Sequence, residues 1–105
     1  MKVLLKWEIE YPTDMAIRKE RYKCNREKWR PYWQKKEEEG LVFKRDGWSD
    51  GTRNMVGLWE FDSAADFAKL WDDEEFHKIC SEYSYLVKNM KLRILRPGIE
   101  LEPED

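Results

Sequence analysis

The sequence predicts an α+β fold with its elements in the order βαββαβ. Three observations carry that reading. Residues 55–61 (MVGLWEF) are apolar at nearly every position, and Asp62 and Ser63 break the run, with Ser63 and Asp66 forming an S-x-x-D helix start. Phe67, Leu70 and Trp71 follow at helical spacing; after an acidic break at residues 72–75 the spacing resumes with Phe76, Ile79, Cys80 and Tyr83. Met90, Leu92 and Ile94 then alternate as a strand, closed by Pro97 and Gly98. In this order both helical segments lie on one face of a four-stranded antiparallel sheet, the ferredoxin-like arrangement.

The first half supplies the remaining elements. Val3, Leu5, Trp7 and Ile9 share one face of residues 2–10, opposite Lys6, Glu8 and Glu10, as in a strand with one buried side. Residues 11–14 (YPTD) form a turn in which Thr13 or Asp14 can cap the next helix. The spacing predicts a helix over about residues 14–39, with Met15, Tyr22, Trp29 and Trp33 along one stripe. Pro31 lies inside it and predicts a kink or break near Arg30. Gly40 is placed to end the helix in the left-handed conformation. Residues 41–48 and 52–61 read as a hairpin joined through Ser49, Asp50 and Gly51, with Asp46-Gly47 offering a competing turn or bulge.

One domain over residues 1–97 accounts for these elements, and residues 98–105 (GIELEPED) form an acidic tail. Charged residues make up 40% of the chain yet leave a net charge of −2, so nothing global draws it to nucleic acid or membrane. No stretch approaches the ~20 apolar residues of a membrane span, and a cytoplasmic protein with Cys24 and Cys80 as reduced thiols is expected. Six Trp, five Tyr and four Phe concentrate the apolar area that a core requires.

The strand at residues 55–61 is apolar on both faces, with Met55, Trp59 and Phe61 on one parity and Val56 and Leu58 on the other. Leu4 and Leu95 add to the second face. A sheet apolar on both sides needs a second cover, and a copy of itself is the simplest, so a homodimer through sheet-to-sheet contact is expected.

The run from Leu58 to Pro97 (LWEFDSAADFAKLWDDEEFHKICSEYSYLVKNMKLRILRP) resembles the C-terminal half of the dimeric α/β-barrel superfamily, particularly its antibiotic-biosynthesis-monooxygenase-like members. The shared pattern is a strand ending at Trp59 to Ser63, a helix bearing Phe67 and Trp71, an acidic break followed by Phe76, and a closing strand. Residues 53–97 carry the resemblance, and the first half joins it by element order alone. The resemblance implies a dimeric α/β barrel holding a small-molecule pocket. Its activity would be that of a cofactor-independent monooxygenase on a flat aromatic or polyketide-like compound.

Such chemistry needs a closed, mostly apolar pocket and a base that forms a substrate carbanion. Trp7, Tyr22, Trp59, Trp71 and Tyr83, together with Trp29, are the residues expected to line the space between helices and sheet. His77, the only histidine, is the expected base by intrinsic pKa, with an Asp or Glu as substitute. The alternative is that these rings simply fill the core, leaving a non-catalytic ligand-binding or assembly module. Cys24, His77 and Cys80 lack the spacing of a metal site, and none is expected. No cofactor is expected either. The remaining alternative, heme binding or degradation, is implied only by one branch of the superfamily. That branch places an Asn on the first strand, where this chain has Lys6, Trp7 and Glu8, and a His four residues beyond a Phe, where it has Cys80.

Residues 18–36 hold nine basic side chains against Glu20 and Glu27, interleaved with Tyr22, Trp29, Tyr32 and Trp33. Alone this reads as a nucleic-acid stripe. Residues 62–82 answer it with seven acids against Lys69 and Lys78, so complementarity within or between chains is the favoured reading.

Overall fold

The computed structural model describes residues 2–96. Its elements are β1 (Val3–Glu10), α1 (Met15–Cys24), a π-helical turn (Asn25–Trp29), α2 (Arg30–Glu38), β2 (Lys44–Ser49), β3 (Asn54–Phe61), α3 (Ala64–Trp71), α4 (Glu74–Ser84) and β4 (Lys88–Leu95). The strands form one antiparallel sheet in the order β2-β3-β1-β4, as the ferredoxin-like reading requires. The acidic tail expected at residues 98–105 lies outside the described residues. Among those described, no helix is long and apolar enough to cross a membrane.

Alternation sets the layers. Val3, Leu5, Trp7 and Ile9 are buried, whereas Leu4, Lys6, Glu8 and Glu10 lie half-buried on the outer face. Across β3 the same parity holds: Val3 pairs with Phe61, Leu5 with Trp59 and Trp7 with Gly57. On the other side Leu92 pairs with Trp7 and Ile94 with Leu5. Trp7, Trp33, Trp59 and Phe76 then meet edge to face, with ring centroids 4.9 Å apart for Trp7–Trp59, 5.4 Å for Trp33–Trp59 and 5.9 Å for Trp33–Phe76. A few large rings thus build the core of a highly charged chain.

The helix expected to kink or break near Arg30 instead runs on in helical backbone through Cys24, Asn25, Trp29 and Arg30, with a π turn in place of a break. The π turn at Asn25–Trp29 precedes α2, and Pro31 sits in the first turn of α2, where its missing N–H costs little. A π turn inserts one residue per turn, so the buried stripe shifts by one position upstream of it. The expected stripe of Met15, Tyr22, Trp29 and Trp33 is therefore corrected. Trp29 and Trp33 are buried, but upstream the inward positions are Arg21 and Cys24, leaving Met15 64% and Tyr22 49% exposed.

Local signals elsewhere behave as read. Ser63 caps α3 by accepting the Asp66 N–H at 3.1 Å. After α2, Gly40 takes φ +78°; Leu41 N–H reaches the Lys36 carbonyl at 2.9 Å and Gly40 N–H that of Glu37 at 2.9 Å, a Schellman closure. Gly51, at φ +83°, turns the hairpin. Asp46-Gly47 forms no competing turn; both residues lie within β2, and Gly47 pairs with Gly57.

The outer sheet face carries Leu4, Val56, Leu58 and Leu95 among Lys6, Glu8, Lys91 and Arg93. Trp48, paired with Val56 at the β2 edge, is 64% exposed. On the helical side, part of the charge contrast closes within the chain. Lys28 Nζ lies 2.8 Å from Glu82 and Lys36 Nζ 3.3 Å from Asp73.

Asp73 joins these helices most directly. Its carboxylate caps α4 at the Glu75 N–H (3.0 Å) and accepts the Tyr32 hydroxyl at 2.7 Å. Burial pushes this carboxyl up, but the bonds from Tyr32, Glu75 and Lys36 outweigh it and hold the group below its ordinary value. Asp73→Ala is expected to lower stability by about 2 kcal/mol, the sum of a cap and a side-chain hydrogen bond. Because the folded value is depressed, the wild-type contribution is complete above about pH 4 and is lost as pH falls through the lower folded value. Urea denaturation at neutral and acid pH checks both points: the gap between wild type and variant should narrow in acid.

Candidate functional site

Between the first helix and the β2–β3 side of the sheet lies an open cleft of about 530 Å³. Its floor is made possible by a missing side chain. Gly57 faces Trp7 across β1–β3, and a Cβ built on Gly57 would fall 1.9 Å from Trp7 Cε2 and 2.1 Å from Nε1. The indole therefore lies flat over bare backbone, which is the use a strand glycine serves at close approach. Trp59 stands against it edge to face, and Gly47, opposite Gly57 on β2, continues the lining toward the edge with the Met55 methyl packed over it.

The wall comes from the interrupted helix. Asn25 and Trp29, the two ends of the π turn, both line the cleft, and Trp29 stacks on Tyr83 of α4 with ring centroids 4.5 Å apart. Such π turns recur at functional sites because the extra residue re-aims side chains that a regular helix would hold in register. At the rim, Arg45 pairs with Glu37.

Arg21 closes one end. It is only 7% exposed, and its guanidinium carbon lies 4.2 Å from the Tyr11 ring centroid and 4.7 Å from that of Tyr22. Its Nη1 donates to the Tyr83 hydroxyl at 3.1 Å. Burial pushes the Tyr83 phenol up, against the downward pull of Arg21, so Tyr83 stays protonated at neutral pH. Tyr22 is shifted the other way, held down by Arg18 and then Arg21 beside its hydroxyl. Nε of Arg21 and the indole N–H groups of Trp7, Trp33 and Trp59 are buried without a partner among the described residues.

The expected site residues divide into two groups. Trp7, Tyr22, Trp59 and Tyr83 all line this cleft, although Tyr22 does so from its exposed rim. Trp71 and His77 do not. Trp71 follows buried Leu70 at the end of α3 and is 44% exposed, stacked on Phe67. His77 follows buried Phe76 by one residue, and that step of 100° turns it to solvent. Its Nε2 lies 2.5 Å from the Trp71 carbonyl oxygen, so the two form a separate corner between α3 and α4. The expectation that His77 and Trp71 share a pocket with the other aromatics is corrected on this geometry. Neither cysteine offers an alternative nucleophile: burial pushes the Cys24 thiol up and the Cys80 thiol to about 12.

Arg21, Tyr11, Asn25, Gly47 and Gly57 were not among the expected site residues. Gly57 carried a signal, being a glycine inside an otherwise apolar strand. Arg21 carried none, because only the π turn brings it inward.

Solved structures with the same chain path extend over nearly the whole protein. A Deinococcus radiodurans protein named as a candidate antibiotic biosynthesis monooxygenase superposes with a TM-score of 0.67 at 10% identity, covering 98% of this chain and 99% of that one. The chain has the ferredoxin-like fold of the antibiotic-biosynthesis-monooxygenase-like proteins. SnoaB, a cofactor-independent oxygenase from Streptomyces nogalater in mutant form, shares this monooxygenase-like fold with a TM-score of 0.58 at 8% identity, covering 98% of each chain. The hydroxynitrile lyase of Passiflora edulis shares it too, with a TM-score of 0.59 at 10% identity over 89% of this chain and 91% of that one. No protein-family model matches the sequence, and no curated protein matches it in sequence comparison. The monooxygenase-like fold thus hosts more than one chemistry, and the residues of this cleft have to carry the functional argument.

Proposed function

We propose that the chain binds a flat aromatic or polyketide-like molecule in the cleft between its first helix and its sheet, and acts there as a cofactor-independent monooxygenase. The observation that carries the reading is the floor of the cleft, where Trp7 lies flat over Gly57 beside Trp59. Trp7 and Trp59 are only 3% and 5% exposed, so a planar ligand in the cleft meets a small part of these rings and is held against them by the surrounding lining. The fold shared with a cofactor-independent oxygenase supports the choice of reaction. At an activated CH₂ group the substrate loses a proton and its carbanion reduces O₂. A C–O bond forms, the O–O bond breaks, and a carbonyl and water result. His77 is too far round α4 to act as base, Glu37 is tied to Arg45, and Asp46, on the outer-face parity of β2, is paired with Lys44. The substrate's proton therefore leaves to solvent, and the cleft's part is to hold and orient the electron-rich form.

Heme fits these residues poorly. The single histidine lies outside the cleft, whose lining includes no imidazole and no thiol, so no step is routed through iron. A non-catalytic ligand-binding module remains the second reading, favoured by the closely packed Trp7–Trp59–Trp33–Phe76 interior. The outer sheet face, with Leu4, Val56, Leu58 and Leu95 half-exposed amid charges of both signs, is assigned to a second copy of the chain.

Anthrone, a planar tricycle with an activated CH₂, is the probe. It should quench tryptophan fluorescence saturably, and Trp59→Ala should weaken binding about tenfold or more, the scale expected when one aromatic ring is removed from a pocket. Trp71→Ala and His77→Ala should bind as wild type does. Uptake of one O₂ per anthrone converted to anthraquinone marks the oxygenase, whereas binding without uptake marks the module. Binding that survives Trp59→Ala but fails in Trp71→Ala would place the ligand at the other corner and overturn the reading.

A further inference from the structure

We propose that the ligand of this cleft carries an acidic oxygen, as phenolate, enolate or carboxylate, and that Arg21 together with the Tyr83 hydroxyl receives it. The proposal rests on the cleft being a ligand site and adds the chemical class that it selects.

Arg21 is a buried cation without an anion. It is 7% exposed, yet it makes no ion pair with a carboxylate among the described residues. Arg45, lining the same cleft, is by contrast paired with Glu37. Of the Arg21 donors, Nη1 is used on Tyr83 and Nε is buried with no partner. A desolvated charge left in this state is costly, and the cost is relieved when an anion arrives.

The surroundings hold the guanidinium for that purpose rather than neutralise it. Tyr11 and Tyr22 flank it at 4.2 and 4.7 Å, positions that favour a cation and fix its plane, and the Tyr22 hydroxyl, beside Arg18 as well, is a neutral partner that leaves the charge uncompensated. Tyr83 accepts from Nη1, and its own proton has no acceptor among the described residues. One oxygen placed beside both groups would receive a charge-assisted bond from Arg21 and a second bond from Tyr83. Both groups line the cleft that Trp7 and Trp59 floor, so an oxygen on Arg21 belongs to a molecule lying on those rings. The downward shift of the neighbouring Tyr22 phenol reflects the same positive field, to which Arg18 contributes first and Arg21 second. An oxygenase substrate held here would be stabilised as its enolate or phenolate, the electron-rich form that reduces O₂.

The test compares 2-naphthoate with 2-naphthamide, matched in shape and differing in charge, by tryptophan quenching at neutral pH. Wild type should prefer the carboxylate by about tenfold or more, the usual scale for a desolvated charge-assisted bond. In Arg21→Met, which keeps the bulk of the side chain, that preference should collapse to about one while the amide still binds. Arg21→Lys should recover part of it, having charge without the planar fork. If wild type binds both probes equally, the acidic-oxygen inference is overturned while the aromatic cleft stands. If neither probe binds, the cleft itself is not a ligand site and both readings fall. The wild-type comparison decides the matter even where a variant does not fold.

Discussion

Gly57→Ala is expected to destabilise the protein by about 1–3 kcal/mol, the range of overpacking a closed interior with one extra methyl, and to abolish ligand binding in the cleft. The added Cβ would lie 1.9 Å from Cε2, 2.1 Å from Nε1 and 2.2 Å from Cζ2 of Trp7. These are ring atoms, and neighbouring rings crowd any sideways shift. Trp59 stands 4.9 Å away on one side and Trp29 6.1 Å away on another. Either β3 moves off β1 or Trp7 leaves its rotamer, and both alter the floor. A double-mutant cycle separates this clash from any backbone effect of losing glycine. In a Trp7→Leu background the cost of Gly57→Ala should largely vanish, giving a coupling of about 1 kcal/mol or more. Urea denaturation of the four proteins measures it. An equal cost in both backgrounds would mean that Gly57 serves backbone freedom and not the seating of Trp7.

Leu58→Asp is expected to convert a dimer into a folded monomer. Leu58 sits on the outer face of β3, between Lys6 on β1 and Asp46 on β2, at the middle of the sheet. Within one chain a carboxylate there is tolerable, since Lys6 on one side offsets the like charge of Asp46 on the other and the face is half-exposed. Against a second copy it would be a desolvated charge close to its own image, costing several kcal/mol and shifting the dimer constant by about a hundredfold or more. Sedimentation velocity with circular dichroism reads assembly and fold together. A wild-type protein that sediments as a monomer at micromolar concentration would remove the premise.

The fold was legible because its signals are local and redundant. Alternation in β1, the Ser63 cap, Gly40 after α2 and the closing strand each point to the same element order, and each is borne out in the structure. The cleft was legible only in part, for two physical reasons. Periodicity identifies an inward face only while the helix stays regular, and the π turn at Asn25–Trp29 moved that face from Tyr22 to Arg21. A buried arginine is also the last residue that composition would place inside. For His77, helical spacing gives the stripe Phe76, Ile79 and Tyr83, and one residue off that stripe is enough to face water. Chemical suitability as a base suggested a place that geometry does not provide.

The Gly57–Trp7 contact shows a third limit. A glycine within MVGLWEF signals that something approaches the backbone, but what approaches depends on register between strands about fifty residues apart in sequence. One residue of slip would set Gly57 against a different side chain.

The most direct measurement of whether this cleft is the ligand site is an NMR titration of the indole N–H resonances with anthrone. The six tryptophans give six reporters placed around the molecule. Trp7, Trp29 and Trp59 line the cleft, whereas Trp48 lies at the outer sheet edge and Trp71 at the α3–α4 corner beside His77. The expected result is saturable shifts of Trp7, Trp29 and Trp59, with Trp48 and Trp71 unmoved. Shifts confined to Trp71 or Trp48, or no saturable shift at all, would contradict the assignment of function to this cleft.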